Sequence, residues 1–181
     1  MNPAIFSDRI DTPLGAMMVC ASEGKLVSLE FDDKPGWVLK NLERRFPEFE
    51  LHPTSNPFGY SDRVRAYFNG ELGALDDIPT EPGGTSFERR VWAELRRIPC
   101  GKTMSYGKLA ERLGDVKASR AVGLANGRNP IAIAVPCHRV IGADGTLIGY
   151  GGGLDRKAWL LSHEGIPVRN GRLDPQPDLF E

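Results

Sequence analysis

The stretch TEPGGTSFERRVW, residues 80–92, divides the chain into two parts. Its Pro-Gly-Gly run breaks any helix or strand, because proline lacks a backbone N–H and glycine has unusual conformational freedom. Directly after it, Thr85 and Glu88 stand at the spacing of a capping box, in which two side chains bind backbone N–H groups at the start of a helix. The sequence therefore predicts a first domain over residues 1–82, a second over residues 83–168 and a flexible tail over residues 169–181.

Charge is distributed unevenly between these domains. The 181-residue chain has a net charge of −1. Residues 1–82 carry 8 Lys/Arg against 14 Asp/Glu, whereas residues 83–168 carry 13 against 7. A positive second domain favours a polyanionic partner such as nucleic acid, although two oppositely charged solvated surfaces would give the same count.

Composition indicates where the protein works. It is 40% hydrophobic and 26% charged, as in soluble globular proteins. No run of about 18 apolar residues occurs, and the first residues lack the basic head and apolar core of a signal peptide. The three cysteines are scattered, which is typical of free thiols in a reducing compartment. We therefore expect a cytoplasmic protein without membrane contact. We also expect it to act as a monomer.

The spacing of short apolar segments predicts an α+β fold. In the first domain, breaks at residues 14–15 and 23–24 separate strands of an antiparallel sheet. Amphipathic helices follow at about residues 36–46 and 58–70, giving an α/β module. The second domain is predicted to be mostly helical, and its last helix runs over about residues 155–165.

The stretch TMSYGKLAERLGDVKASRAVGLANGRNP predicts two short helices joined by a three-residue turn. A generic helical hairpin has the same pattern, but its place in the basic domain favours a DNA-binding helix-turn-helix. The inner face of the second helix is predicted to hold Ala121, Val122 and Ala125. Its outer face carries Ser119 and Arg120 and almost no side chains that read base edges. We therefore expect binding to double-stranded DNA through shape and phosphates, without sequence preference.

In AVPCHRVIGADG, Cys137 is open to interpretation as a buried filler, a metal ligand or a nucleophile. Adjacent Cys and His lack chelate spacing and no second pair lies nearby, so we expect no metal and no cofactor. The filler interpretation suits Cys20, in a predicted strand, and Cys100, at a helix end. A nucleophilic cysteine needs a base, because few free thiols are ionised at neutral pH. His138, acting through a water molecule, is the candidate base, and Glu164 is the candidate that orients it.

Four motifs, PCHRVIG, SYGKLA, ASRAVGLANGRNP and GYGGGLDRKAWLLSHEG, closely resemble the methylated-DNA–protein-cysteine methyltransferases, also called O6-alkylguanine-DNA alkyltransferases. The resemblance is strong over residues 85–165 and looser in the first domain, in DTPLGAMMV and AYFNGEL. It implies the stand-alone bacterial type, with an RNase H-like first domain and a C-terminal domain that combines a helix-turn-helix with an active-site loop.

The resemblance also implies a reaction. An alkyl group moves from O6-alkylguanine in DNA to the protein's own cysteine after the base is flipped out, with O4-alkylthymine as a second candidate substrate. Cys137 would accept the group irreversibly, with His138 as the base and Glu164 orienting it. Tyr106 would hydrogen-bond the flipped guanine and help its O6 to accept charge.

Further positions of the motifs are expected to bind substrate or DNA. The substrate contacts are Tyr106, Asn129, which would hold the turn before the active-site segment, the Val140 carbonyl, and the backbone at Tyr150 and Gly151. The DNA contacts lie on or next to the second helix: Ser119, Arg120, which would fill the gap left by the guanine, Ala121 and Arg128.

Three other interpretations compete with alkyl transfer. A lesion-binding alkyltransferase-like protein without transfer activity would lack the nucleophile that Cys137 supplies. A helix-turn-helix transcription factor needs base-reading side chains, and a cysteine hydrolase leaves the basic helix pair unexplained.

The tail contains QPDLF, which resembles the short peptide by which bacterial repair proteins bind the replication sliding clamp. Its anchor residues would be Gln176, Asp178, Leu179 and Phe180. Five-residue matches arise easily by chance, so an unremarkable chain end is the competing interpretation.

Overall fold

A computed structural model describes residues 2–174. The chain divides into two compact units: unit 1 is the chain up to Gly84 together with Pro130–Ala134, and unit 2 is Thr85–Asn129 together with the chain from Val135. The sequence placed residues 130–134 in the second domain, whereas in the structure they cluster with unit 1. In unit 1 these residues extend the sheet, because Leu29 donates its N–H to the Pro130 carbonyl and forms a bridge with Ile131.

Unit 1 contains a four-stranded sheet in the order β3-β2-β1-β4. The strands are β1 (Ala4–Thr12), β2 (Gly15–Ser22), β3 (Lys25–Phe31) and β4 (Glu50–Pro53). The predicted antiparallel hairpin is present, and Glu23 and Gly24, both at positive φ, make its tight turn. β4 pairs in parallel with β1 and was not predicted, because its residues are all exposed and show no alternation.

Two helices of unit 1 follow the predicted pattern: α1 (Trp37–Arg45) and α2 (Tyr60–Phe68). α1 buries Val38 and Leu42 in a cluster that also contains Ile5 and Cys20. The side chain of Cys20 therefore packs as a small hydrophobe, as predicted.

Unit 2 is mostly helical, with α3 (Ser86–Leu95), α4 (Tyr106–Arg112), α5 (Ser119–Gly127) and α6 (Leu154–His163). The predicted capping box starts α3: Glu88 N–H donates to Thr85 Oγ1 at 3.1 Å, and Thr85 N–H donates to Glu88 Oε2 at 2.9 Å. α4 and α5 form the predicted helix-turn-helix, joined through a short 3-10 turn. The predicted α+β class, with a helical second domain, is thus confirmed.

Short strand pairs complete unit 2: β5 (Met104–Ser105) with β6 (Val140–Ile141) in parallel, and β7 (Val168–Arg169) with β8 (Arg172–Leu173) antiparallel. The second pair corrects the start of the predicted tail, since residues 168–173 form a hairpin. Leu173 is buried against Ile141, Leu147 and other apolar residues, which explains why the hairpin folds back. The peptide QPDLF lies outside the described residues.

Candidate active site

Cys137 begins a 3-10 turn, Cys137–Arg139, that leads directly into β6. Only 5% of the residue is exposed. The Cys137 N–H donates to the Val135 carbonyl at 2.8 Å, which anchors the turn to the segment that precedes it. Parallel pairing of β5 with β6 also holds the start of α4, at Tyr106, against this active-site segment.

Glu164, which ends α6, binds the two residues that follow Cys137. His138 Nε2 lies 2.8 Å from Glu164 Oε1. Arg139 donates to both carboxylate oxygens, from Nη2 to Oε1 at 2.8 Å and from Nε to Oε2 at 2.9 Å. All three residues are buried. An anion at a helix C-terminus is unfavourable alone, and Arg139 supplies the cation that offsets it.

This network decides which groups are charged. Burial alone would raise the pKa of Glu164, but the hydrogen bonds from His138 and Arg139 and the positive charge of Arg139 outweigh it and hold that pKa well below its usual range. Burial lowers the pKa of His138 in spite of Glu164, and the positive charge of Arg139 acts in the same direction. His138 is therefore neutral at pH 7 and donates its Nε2–H to Glu164. Its Nδ1 is then an acceptor, buried and without a hydrogen-bond partner among residues 2–174.

The thiol of Cys137 is subject to opposing influences. Burial raises its pKa, whereas a hydrogen bond from Asn129 and the positive charge of Lys157 lower it. Since burial dominates, the thiol is protonated at rest and needs a base to react. Asn129 also donates from Nδ2 to the Val135 carbonyl at 2.8 Å, so it ties the end of α5 to the segment before Cys137.

The loop after β6 is held by a lysine and a tyrosine. Lys157, 0% exposed, donates from Nζ to the carbonyls of Val140 (2.5 Å), Ile148 (2.7 Å) and Gly149 (3.3 Å). The Tyr106 hydroxyl lies 3.1 Å from the Ile148 carbonyl and 3.2 Å from that of Gly149. Gly149 has φ 59°, and a Cβ there would lie 3.1 Å from the Tyr106 hydroxyl. Glycine thus permits the close approach of loop and phenol.

The other predicted substrate contacts differ in their burial and hydrogen bonding. The Val140 carbonyl already accepts from Lys157. Burial raises the pKa of Tyr150 well above its ordinary value, and the charge of Cys137 adds to this. The Tyr150 hydroxyl is buried without a hydrogen-bond partner in the described chain. Gly151 is exposed, and a Cβ there would meet only the Gly127 carbonyl, at 3.8 Å.

The orientation of α5 corrects one prediction. The helix buries Val122, Ala125 and Asn126, a stripe at i, i+3 and i+4. Ala121 precedes that stripe and is exposed, so it does not face inward. It shares the exposed surface with Leu124, a large apolar side chain that is 57% exposed.

The cations expected to bind DNA differ in their partners. Arg120 is exposed on α5, and its guanidinium has no hydrogen bond or ion pair within residues 2–174. Arg128 follows α5 and lies 3.3 Å from Glu88, from Nη1 to Oε1. Ser119, half-buried, begins the helix. Arg120 is therefore the freer of the two cations.

The sequence analysis missed three polar residues of the site: Arg139, Lys157 and Asn126. The sequence held a signal for Arg139 alone, whereas the burial of the other two became clear from the structure. Glu164 at a helix end required a cation, which is Arg139. Lys157 stands three residues before buried Leu160, on the inner face of α6, and Asn126 lies on the buried stripe of α5.

Comparisons with known proteins match both parts of the chain. The DNA-binding domain of 6-O-methylguanine DNA methyltransferase matches residues 86–166, and the ribonuclease-like domain of the same family matches residues 5–82. A methylated-DNA–protein-cysteine methyltransferase of Shigella flexneri is 48% identical over 164 residues, which are 89% of this chain and 96% of that protein.

Solved structures are similar over most of the chain. The Mycobacterium tuberculosis O6-methylguanine methyltransferase superposes with a TM-score of 0.75 at 40% identity, covering 92% of this chain and 96% of that one. A structure of Mycobacterium tuberculosis OGT in complex with DNA gives 0.73 at 42% identity, covering 88% and 92%. Since the similarity extends over both units at this identity, the chain belongs to the methylated-DNA–protein-cysteine methyltransferase family.

Proposed function

We propose that this protein repairs DNA by transferring a methyl or other alkyl group from O6 of guanine to the sulfur of its own Cys137. The observation that carries this proposal is the neutral His138, which follows the buried Cys137 in the chain, whose Nε2–H is fixed on Glu164 and whose Nδ1 is left as a buried acceptor. Such a pair needs no metal and no cofactor to generate a thiolate. Within residues 2–174, no group of three or more His, Cys, Asp or Glu side chains is placed to hold a metal ion.

The reaction begins with removal of the thiol proton. His138 Nδ1 takes it through one water molecule, and the imidazolium that forms is stabilised by Glu164. The thiolate then attacks the alkyl carbon in line: the S–C bond forms, the C–O6 bond breaks, and the electron pair remains on the guanine oxygen. Arg139 keeps Glu164 ionised throughout, so it acts as a positioning residue.

Guanine leaves as an anion, which hydrogen-bond donors must stabilise. Tyr106 is the donor we assign to this role. Burial raises its pKa to about 12, and the Cys137 thiolate, once formed, acts in the same direction, so the phenol keeps its hydrogen at neutral pH. In the free protein that hydrogen is within reach of the loop carbonyls of Ile148 and Gly149, and guanine takes their place.

Binding requires that the damaged nucleotide leave the DNA stack, which costs a few kcal/mol. We assign α5 to the groove, with Arg120 entering the space that the base vacates and Ser119, Ala121 and Arg128 next to the backbone. The exposed face of α5 offers the unpaired cation Arg120, small residues and the apolar side chain of Leu124. That composition supports recognition of DNA shape and phosphates without sequence preference.

The product is a thioether, and the site contains no group that would cleave it, so each molecule acts once. The alternative, lesion binding without transfer, is disfavoured by the presence of Cys137 with its base. The test is incubation with a duplex that contains one O6-methylguanine, followed by mass spectrometry of the peptides. We expect a gain of one methyl on the Cys137 peptide and none on Cys20 or Cys100, and an unmodified Cys137 peptide would contradict the proposal.

Two finer proposals concern surroundings and partners. Three free cysteines support a reducing, cytoplasmic setting for a monomer, and no helix in residues 2–174 is both long and apolar enough to span a membrane.

The peptide Gln176–Phe180 is proposed to recruit the protein to the replication sliding clamp, on sequence alone. Equal clamp binding by the full chain and by a chain ending at Asp174 would contradict recruitment.

A further inference from the structure

Asn126 lies at the centre of the site, and although it stands within the motif ASRAVGLANGRNP, the sequence analysis gave it no role. It stands on α5, with 3% of the residue exposed. Its Nδ2 donates to the Cys137 carbonyl at 3.3 Å and lies 3.5 Å from the Tyr106 hydroxyl oxygen. The two hydrogens of one carboxamide thus face the nucleophile's backbone and the phenol assigned to the leaving group.

The contact with Cys137 is not what requires an amide at this position. The Cys137 carbonyl already accepts the Val140 N–H, so it stays paired without Asn126. The other half of the amide, Oδ1, is buried with no hydrogen-bond partner in the described chain. A buried, half-satisfied amide is less favourable than an apolar side chain of the same size, which points to a role in the reaction.

The contact with Tyr106 supplies that role. A donor to the phenol oxygen stabilises the negative charge that develops there as the phenolic hydrogen shifts toward an acceptor. Because the phenol oxygen then accepts from Asn126, Tyr106 interacts with any other group as a hydrogen-bond donor. A separation of 3.5 Å is long for a resting hydrogen bond and is expected of a catalytic contact that tightens when substrate binds.

We propose that Asn126 is a positioning residue for alkyl transfer, which donates to the Tyr106 oxygen and so strengthens the hydrogen bond from Tyr106 to the departing guanine. The inference rests on the proposed function. In the transfer step the Cys137 sulfur gains the alkyl carbon, and the C–O6 electron pair passes to guanine. The hydrogen-bonded chain from Asn126 through Tyr106 disperses that charge. No other reactant enters.

The test is a double-mutant cycle on the first-order rate of methyl transfer at saturating O6-methylguanine DNA. Asn126→Leu keeps the volume and removes the donor, and it should slow transfer about five- to tenfold, the equivalent of one hydrogen bond. In a Tyr106→Phe background the same change should have no further effect, because the group through which Asn126 acts is gone. Asn126→Ser, too short to reach the phenol, should repeat the result if the leucine variant does not fold.

A second reaction separates positioning from a structural disturbance. The second alkyl donor is iodomethane, whose methyl carbon the Cys137 sulfur would attack with iodide as leaving group, and iodide needs no hydrogen-bond donor. We expect the ratio of the DNA rate to the iodomethane rate to fall about five- to tenfold in Asn126→Leu. An unchanged ratio, or the same loss in the Tyr106→Phe background, would overturn the inference. Absence of transfer by the unmodified chain would instead overturn the proposed function.

Discussion

Unit 1 and unit 2 each bury a cysteine near a glutamate and an arginine, but the two sulfurs have different surroundings. In unit 1, Cys20 lies on β2 and is fully buried. Burial, followed by the negative charge of Glu30, raises its pKa to about 12, and Arg45 offsets this only in part. Arg45 directs its guanidinium to the carbonyls of Val27 and Glu81 instead.

In unit 2, burial also raises the pKa of Cys137, but the neighbouring groups act in the opposite direction. Asn129 donates a hydrogen bond and Lys157 contributes a positive charge. The glutamate of this unit does not act on the sulfur directly, because its carboxylate is bound by Arg139 and His138. The acid here orients a base, whereas Glu30 opposes ionisation of its cysteine.

The comparison shows that residue types alone do not make a nucleophile. Cysteine, glutamate and arginine occur together in both units, and the order in which they are connected decides the outcome. The feature that unit 1 lacks in its buried cluster is a neutral histidine that is hydrogen-bonded to the acid and adjacent to the cysteine in the chain. His52 lies on exposed β4.

The largest expected effect is on the histidine. His138→Gln removes the proton acceptor and should slow methyl transfer about 100- to 10,000-fold, the usual contribution of a general base. DNA affinity should stay within about twofold, since the side chain is buried. The matched control in unit 1 is His52→Gln, which should leave the rate unchanged. Equal rates for His138→Gln and the unmodified chain would remove the base from the account.

The two glutamates should differ in their contribution to the free energy of unfolding. Glu164→Gln leaves the Arg139 guanidinium buried without its anion and should lower that free energy by about 3–5 kcal/mol. Glu30→Gln keeps an oxygen for Asn41, which lies 3.3 Å away, and should change it by less than about 1 kcal/mol. Urea denaturation followed by circular dichroism measures both. Similar losses would mean that both acids have the same structural role.

For the same two variants, the difference in free energy of unfolding from the unmodified chain should change with pH in opposite directions. The folded-state pKa of Glu164 is depressed from its ordinary value of 4.5, so its stabilisation is present above pH 4.5 and is lost as the pH falls below it. Burial raises the folded-state pKa of Glu30, so its contribution is present below pH 4.5 and is lost as the pH rises. Relative to the unmodified chain, Glu164→Gln should therefore lose less stability between pH 5 and 3. Parallel curves for all three proteins would contradict the assigned ionisation states.

A smaller effect is expected from the cations. Burial lowers the pKa of Lys157 to about 8, and the group remains mostly protonated at pH 7. Lys157→Met removes a charge that favours the Cys137 thiolate and should slow transfer at pH 7 about tenfold, with a smaller loss at pH 9. Arg45→Met in unit 1 should reduce stability without changing the rate. A pH-independent loss would mean that Lys157 acts only by holding the loop.

The sequence was sufficient where local chemistry decides structure. The Thr85–Glu88 capping box, the turn at Glu23-Gly24 and the helix-turn-helix depend on residues close in sequence, and each was predicted. The contact of Glu164 with His138 followed from the motifs, and Arg139 was implied by the need for a cation but not identified.

What the sequence did not predict depends on long-range pairing. Segment 130–134 extends the sheet of unit 1 through backbone bonds to Leu29, for which side chains give no signal. The sequence of the hairpin at residues 168–173 is mostly polar and is typical of a chain end. The burial of Leu173 in an apolar cluster is what stabilises the hairpin. Asn126 and Lys157 were missed because buried polar residues at apolar positions of a helix look like exposed ones in the sequence.

The central claim, that Cys137 takes one alkyl group and keeps it, is tested most directly by counting lesions. A fixed amount of protein is mixed with increasing O6-methylguanine duplex, and the O6-methylguanine that remains after completion is measured. The account predicts a plateau at one methyl group removed per protein chain, and none removed by Cys137→Ser. Removal of more than one lesion per chain, or clearance by the serine variant, would contradict it.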